Sequence, residues 1–129
     1  MFICLVDECH HYQNLIDAKR KYDYDTQAGY GKCDIELRKK GWHRFQGAAG
    51  TKMATNSAGF RKCGAGFPAR LEGTHPTVAK GIVRRKVCIN KQNVECNEQS
   101  YVDVKSCTSY YVYKFYAFSA CVFRYCGTD

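Results

Sequence analysis

With 129 residues the chain has room for one hydrophobic core and not for two. Nine cysteines at this length exclude a reducing compartment and point to secretion and an extracellular life. The 20 Lys and Arg against 12 Asp and Glu give a formal charge of +8, which draws the surface toward anionic glycans, microbial envelopes or nucleic acid.

The apolar start Met1–Val6 meets Asp7 and Glu8 too soon for a signal peptide and reads as a mature end. Nowhere does the sequence approach the roughly eighteen apolar residues of a spanning helix, so no membrane span is expected. Tyr12 to Tyr22 places Leu15, Ile16 and Lys19 at helical spacing behind a weak Asn14 cap, which predicts a short helix. Tyr22 to Gly31 then reads as a loop rich in Gly, Asp and Thr. Strands are predicted at Trp42 to Gln46 and Thr51 to Ala54. Gly59, Gly64, Gly66, Pro68, Gly73, Pro76 and Gly81 punctuate the middle so heavily that a long surface loop, stapled at Cys63, is expected there. Further strands follow at Ile82 to Ile89, Tyr101 to Ser106, Tyr110 to Phe118 and Cys121 to Tyr125. In the Tyr101 strand the period of two turns Val102 and Val104 inward and Tyr101, Asp103 and Lys105 outward. Cys107-Thr108-Ser109 is short enough to make a hairpin with the strand that follows. The fold class is a small disulfide-rich, mainly β (α+β) domain over 1–129, with antiparallel hairpins, a long Gly-rich loop and a short N-terminal helix.

Zinc is disfavoured by spacing, because no Cys-x-x-Cys occurs and His10, His11, His43 and His75 cannot complete a Cys/His finger. The basic runs Lys19-Arg20-Lys21, Arg38-Lys39-Lys40 and Arg84-Arg85-Lys86 read as solvated faces. No nucleophile with its base, carboxylate pair or metal cage has a recognisable local context, so the chain is read as not an enzyme and as needing no cofactor. No motif for specific nucleic-acid recognition is found, and no Glu-Pro-Asn or Gln-Pro-Asp triplet suggests calcium.

What remains is an aromatic and basic composition, with ten Tyr, seven Phe and one Trp. Sugar rings dock on such rings through their C–H faces while Arg, Asp, Glu or Asn take the hydroxyls. The candidate ligand-binding residues are Trp42, His43, Arg44, Glu72, His75, Tyr111 and Tyr113. Against that, Trp42, Tyr111, Tyr113 and Phe115 are the residues a small core would bury, and His75 beside Pro76 suits a loop anchor. A structural or adhesive role in mucus or matrix, gripping acidic polymers, is the alternative function.

Gly41-Trp42-His43-Arg44-Phe45, Gly47-Ala48-Ala49-Gly50-Thr51-Lys52-Met53 and Gly73-Thr74-His75-Pro76 set a pattern. Val102-Asp103-Val104-Lys105 before Cys107, Tyr111-Val112-Tyr113-Lys114, and Cys121-Val122-Phe123-Arg124-Tyr125-Cys126 continue it. Together, over about 9–126, these resemble the ten-cysteine decoy-module domain of the uromodulin-like family. The resemblance implies the bridges Cys9 with Cys107, Cys33 with Cys121, Cys63 with Cys126 and Cys88 with Cys96, where spacing alone leaves about 105 pairings of eight cysteines. Ser57 and Glu95 stand where the family bonds its third and sixth cysteines, so one whole bridge is missing. Glu72 stands where vertebrate relatives carry an N-glycan, and no Asn-x-Ser/Thr occurs in the chain, so it would bind glycans instead of presenting them. Cys4 has no family counterpart and is a candidate for an intermolecular bridge in a disulfide-linked homodimer.

Overall fold

Alternating side chains decide where the sheet buries itself. In the computed structural model residues 7–27, 31–56, 59–91, 94–116 and 123–129 are described. Nine strands are formed among them: β1 (Gln13–Leu15), β2 (Trp42–Phe45), β3 (Lys52–Met53), β4 (Phe67–Leu71), β5 (Ile82–Lys91), β6 (Val94–Ser106), β7 (Tyr111–Phe115), β8 (Phe123–Tyr125) and β9 (Gly127–Thr128). Seven join in the order β1-β2-β7-β6-β5-β4-β8, while β3 pairs with β9. The central pairs are antiparallel and both edge strands, β1 and β8, run parallel to their neighbours.

The sheet is curled onto its own apolar face. Phe115 on β7 stacks on Tyr125 on β8 with centroids 3.9 Å apart, although three strands separate β7 from β8 in the sheet. Phe45 meets Tyr113 edge-on at 5.4 Å and Phe123 meets Tyr125 in the same way, so the core is a run of aromatic contacts closed by Val102, Val104, Leu71 and Ile89. Val102 and Val104 are buried and Tyr101 is 49 % exposed, as the period of two requires. Gly127 lets the chain close: a Cβ there would lie 2.0 Å from the Ala49 carbonyl oxygen.

Three expectations are corrected. The helix over Tyr12 to Tyr22 does not form. Its first part is β1, with Gln13 opposite His43 and Leu15 opposite Phe45, and Ala18–Arg20 is a single 3-10 turn capped by Asp17, whose carboxylate accepts from the Lys19 backbone at 2.9 Å. So short a helix is marginal in water, whereas pairing with β2 satisfies the backbone and buries Leu15. Among the described residues the helical segments are 3-10 turns, so the class is mainly β and the α+β label falls.

Second, the Gly-rich stretch is not loop throughout. β4 crosses it between β5 and β8. Pro68 is tolerated because the ladder with β5 starts only at Ala69, so Pro68 has a registered partner on β8 alone, Arg124. Third, Arg20 is not part of a solvated basic face. It is 5 % exposed and its guanidinium grips Asp34, 6 % exposed, with Nη1 donating at 2.5 Å and Nη2 at 3.1 Å. The same carboxylate accepts from the Tyr125 backbone at 2.7 Å, and Arg124, also buried, donates to Asp17 at 2.8 Å.

Cys9–Cys107, Cys63–Cys126 and Cys88–Cys96 are bonded as the resemblance implies. Cys33 is disulfide-bonded too. Its expected partner Cys121, like Cys4, Ser57 and the ends of two predicted strands at Phe118 and Val122, lies outside the described residues. Glu95 is exposed on β6. No helix among the described residues is long and apolar enough to cross a membrane.

Candidate functional site

Residues opposite one another in a sheet share a face, so the register sorts the candidates. Trp42 pairs with Lys114, Lys114 with Asp103 and Asp103 with Arg84, which draws one row across β2, β7, β6 and β5. This is the outward face: Arg84 and Lys114 are exposed and Trp42 and Asp103 are partly so. The neighbouring row, His43 with Tyr113 and Tyr113 with Val104, points into the core.

The seven candidates therefore fall into three places. Trp42 and Arg44 belong to the outward face. Trp42 borders a groove of about 430 Å³ at the start of β1 and β2, shared with His10, His11, Tyr12, Lys40 and Gly41. Arg44 lies over the Tyr110 ring at 3.8 Å and donates to the Tyr12 hydroxyl at 2.9 Å. Tyr110 in turn donates to the Cys9 carbonyl, and Lys105 bonds Glu8 at 2.9 Å, so the segment before β1 is pinned onto this face beside the Cys9–Cys107 bridge. Lys105 holds Glu8 below the usual carboxylate range.

His43, Tyr111, Tyr113 and His75 form the second place, on the inner side. His43 is 1 % exposed against Phe115, its ring nitrogens without a well-formed hydrogen bond among the described residues; burial pulls its pKa down to about 4. His75 stacks on Tyr111 at 4.4 Å, and its Nε2 lies 2.7 Å from the Tyr113 hydroxyl. That hydroxyl also accepts the Met53 backbone N–H at 2.8 Å, so one buried oxygen ties β3, β7 and the His75 loop together. Burial, with Lys52 and Arg85 nearby, lowers His75 to about 4 and pushes the Tyr113 phenol well above its ordinary value. His43 and Tyr113 are out of reach of a ligand at the surface, and His75 acts as an anchor between its loop and β7.

Both histidines are neutral in the fold and protonate near pH 6.5 once unfolded, so unfolding takes up protons between those limits. Their contribution to stability is complete above pH 6.5 and falls as the pH drops toward 4, by about 3 kcal/mol for each histidine. Urea unfolding at pH 7 and pH 4.5 reads this directly. A His75→Asn variant should show a shallower loss between the two; a slope equal to that of the native protein would remove His75 from the account.

Glu72 is the third place. Exposed after β4, its carboxylate lies 2.7 Å from Cys88 Sγ, 3.9 Å from Cys96 Sγ and 3.7 Å from the Arg70 guanidinium. This trio has the spacing of a metal site, but the two sulfurs are committed to each other.

Tyr12, Lys40, Lys114 and the histidine pair His10 and His11 were missed by sequence reasoning. The signal present was the parity of β2, which already puts Trp42 and Arg44 on one face and His43 on the other. Lys114 shares that signal as the outward residue between Tyr113 and Phe115.

A model of the uromodulin-like domain family matches residues 43–127. The mouse (Mus musculus) protein named uromodulin is 33 % identical over 121 residues, covering 93 % of this chain and 18 % of that protein. The pancreatic secretory granule membrane major glycoprotein GP2 of the dog (Canis lupus familiaris) is 35 % identical over 121 residues, 93 % of this chain and 23 % of that protein. Its counterpart in the rat (Rattus norvegicus) is 35 % identical over 128 residues, 96 % and 23 % of the two chains. The chain thus spans about a fifth of the length of the curated relatives it matches.

Proposed function

Because the chain belongs to the uromodulin-like domain family, we infer that it is an extracellular, non-enzymatic module that binds glycans directly at the Trp42 groove. One observation carries this reading. Trp42 and Tyr12 offer ring surface to a groove whose other side chains are His10, His11, Gln13 and Lys40, donors for hydroxyls with no carboxylate among them. Aromatic faces beside fixed hydrogen-bonding groups are what a saccharide needs. The bridge Cys9–Cys107 and the Arg44 stack hold the groove's N-terminal wall before any ligand arrives, which limits the ordering cost of binding. A hydrolytic reading lacks support, since the two histidines within the family motifs, His43 buried and His75 half-buried, are both neutral and packed against aromatic rings.

Trp42→Ala is the test. It removes the ring but leaves the inward row of β2 untouched, and it is expected to weaken binding to any saccharide found on a glycan array at least tenfold, about 1.4 kcal/mol. Unchanged affinity in the folded variant would move the site away from the groove. Failure of the folded protein to bind any saccharide would end the reading.

A further inference from the structure

The outward row does not stop at Trp42. Arg84, Asp103, Lys114 and Trp42 stand in register on four adjacent strands, and Lys86, exposed opposite Tyr101, lies two residues along β5 on the same face. With strands about 4.8 Å apart, Arg84 and Lys114 are about 10 Å from each other, and the groove begins one strand further on. Asp103 is the single carboxylate of the row, and it is occupied: its Oδ1 accepts from Arg84 Nε at 3.1 Å and its Oδ2 from the Tyr116 hydroxyl at 2.8 Å. That hydroxyl also accepts from Arg84 Nη2 at 3.0 Å, so the guanidinium is held in place across the strands while its side chain stays 59 % exposed. Among the described residues Lys114 and Lys40 form no ion pair. The face thus carries Arg84, held in place by its pair with Asp103, and the exposed Lys114 and Lys86, which form no ion pair among the described residues; the excess of positive charge runs toward an aromatic groove.

We propose that this face binds a linear anionic polysaccharide, sulfated or rich in uronic acid, laid across the strands from Arg84 past Lys114 into the Trp42 groove. The inference rests on the glycan reading above and adds its ligand class and direction. Charge complementarity selects the occupant. Anionic groups spaced along a stiff sugar chain match cations spaced along the row, whereas a neutral oligosaccharide would gain nothing from Arg84 or Lys114. Each cation met by an anionic group releases counterions, so affinity falls with salt.

The experiment measures affinity for heparin oligosaccharides of increasing length, for hyaluronan, which carries carboxylates alone, and for neutral dextran, at two salt concentrations. Arg84→Gln with Lys114→Gln should weaken binding of the longer heparin fragments at least tenfold. Lys32→Gln with Lys62→Gln, in the loops joined at Gly64 and removing the same charge, should change it less than about twofold. Binding should strengthen with fragment length and vanish on dextran; binding to hyaluronan would admit carboxylates as well as sulfates, and its absence would restrict the ligand to sulfated chains. Equal losses in both double variants, indifference to length, or equally tight and equally Arg84-dependent binding of single-stranded DNA or phosphatidylserine vesicles would overturn the proposal. A neutral glycan lost in Trp42→Ala but kept in Arg84→Gln/Lys114→Gln would leave the groove reading standing and sink this one alone.

Discussion

Replacing Asp34 with alanine is expected to lower the unfolding free energy by about 3–5 kcal/mol, the cost of leaving a buried charge without its partner. The carboxylate is the hub of a dry cluster. It takes two hydrogen bonds from Arg20 and one from the Tyr125 backbone, and it lies 3.9 Å from the Arg124 Nε. Arg20 uses its remaining reach on the Tyr125 carbonyl at 3.0 Å, so the 3-10 turn at Ala18–Arg20 and the edge strand β8 are joined through side chains and not by a ladder. With Asp34 gone, two guanidinium groups face each other with only Asp17 to balance them, and the Tyr125 N–H loses its acceptor. Guanidinium chloride unfolding measures the loss. The paired change Arg20→Met with Asp34→Leu should recover much of it, since removing both charges also removes their desolvation penalty. A loss below about 1 kcal/mol for the single variant would mean that water reaches the cluster.

Removing the Cys63–Cys126 bridge as a pair of alanines should cost about 4 kcal/mol, against about 2.5 kcal/mol for Cys88–Cys96, on the loop-entropy estimate. The difference comes from the separations closed, 63 residues in one case and 8 in the other. Cys63 and Cys126 are also buried against Ala54 and Tyr22, so their loss opens a small cluster beside the main core as well as the loop. The two double variants, unfolded side by side in guanidinium chloride without reductant, give the ratio. Equal effects would show that native-state contacts, and not loop length, decide what each bridge is worth.

Several parts of this architecture were legible in the sequence. The alternation of Tyr101 to Lys105 gave the faces of β6 correctly, and the short Cys107-Thr108-Ser109 link gave the β6–β7 hairpin. The aromatic and cysteine pattern identified the family, and through it the bridges Cys9–Cys107, Cys63–Cys126 and Cys88–Cys96. Composition makes Trp42, His43 and Tyr113 alike candidates for ligand contact; the structure puts Trp42 at the edge of a groove and the other two in the core. Composition does not say which face a ring is on; register does.

What the chain alone determined, then, is local: strand parity, turn chemistry, the odd cysteine, the missing sequon, the excess of positive charge. The parity and turn chemistry depend on neighbours within a few residues, and the rest are plain counts along the chain. What tertiary structure decided depends on partners far along the chain. Gln13–Leu15 is a strand because β2 lies beside it, and Phe67–Leu71 is one because β5 and β8 do. Arg20 leaves its basic run because Asp34 and the Tyr125 backbone await it, at separations of 14 and 105 residues. The candidate site is of this second kind. It is assembled from 10–13, 40–42, 84, 103 and 114, and only the pairing and register of the strands bring those positions onto a common face. The free energy that selects the arrangement is burial of the aromatic row on the opposite side, a sum over distant contacts that no local window of sequence contains.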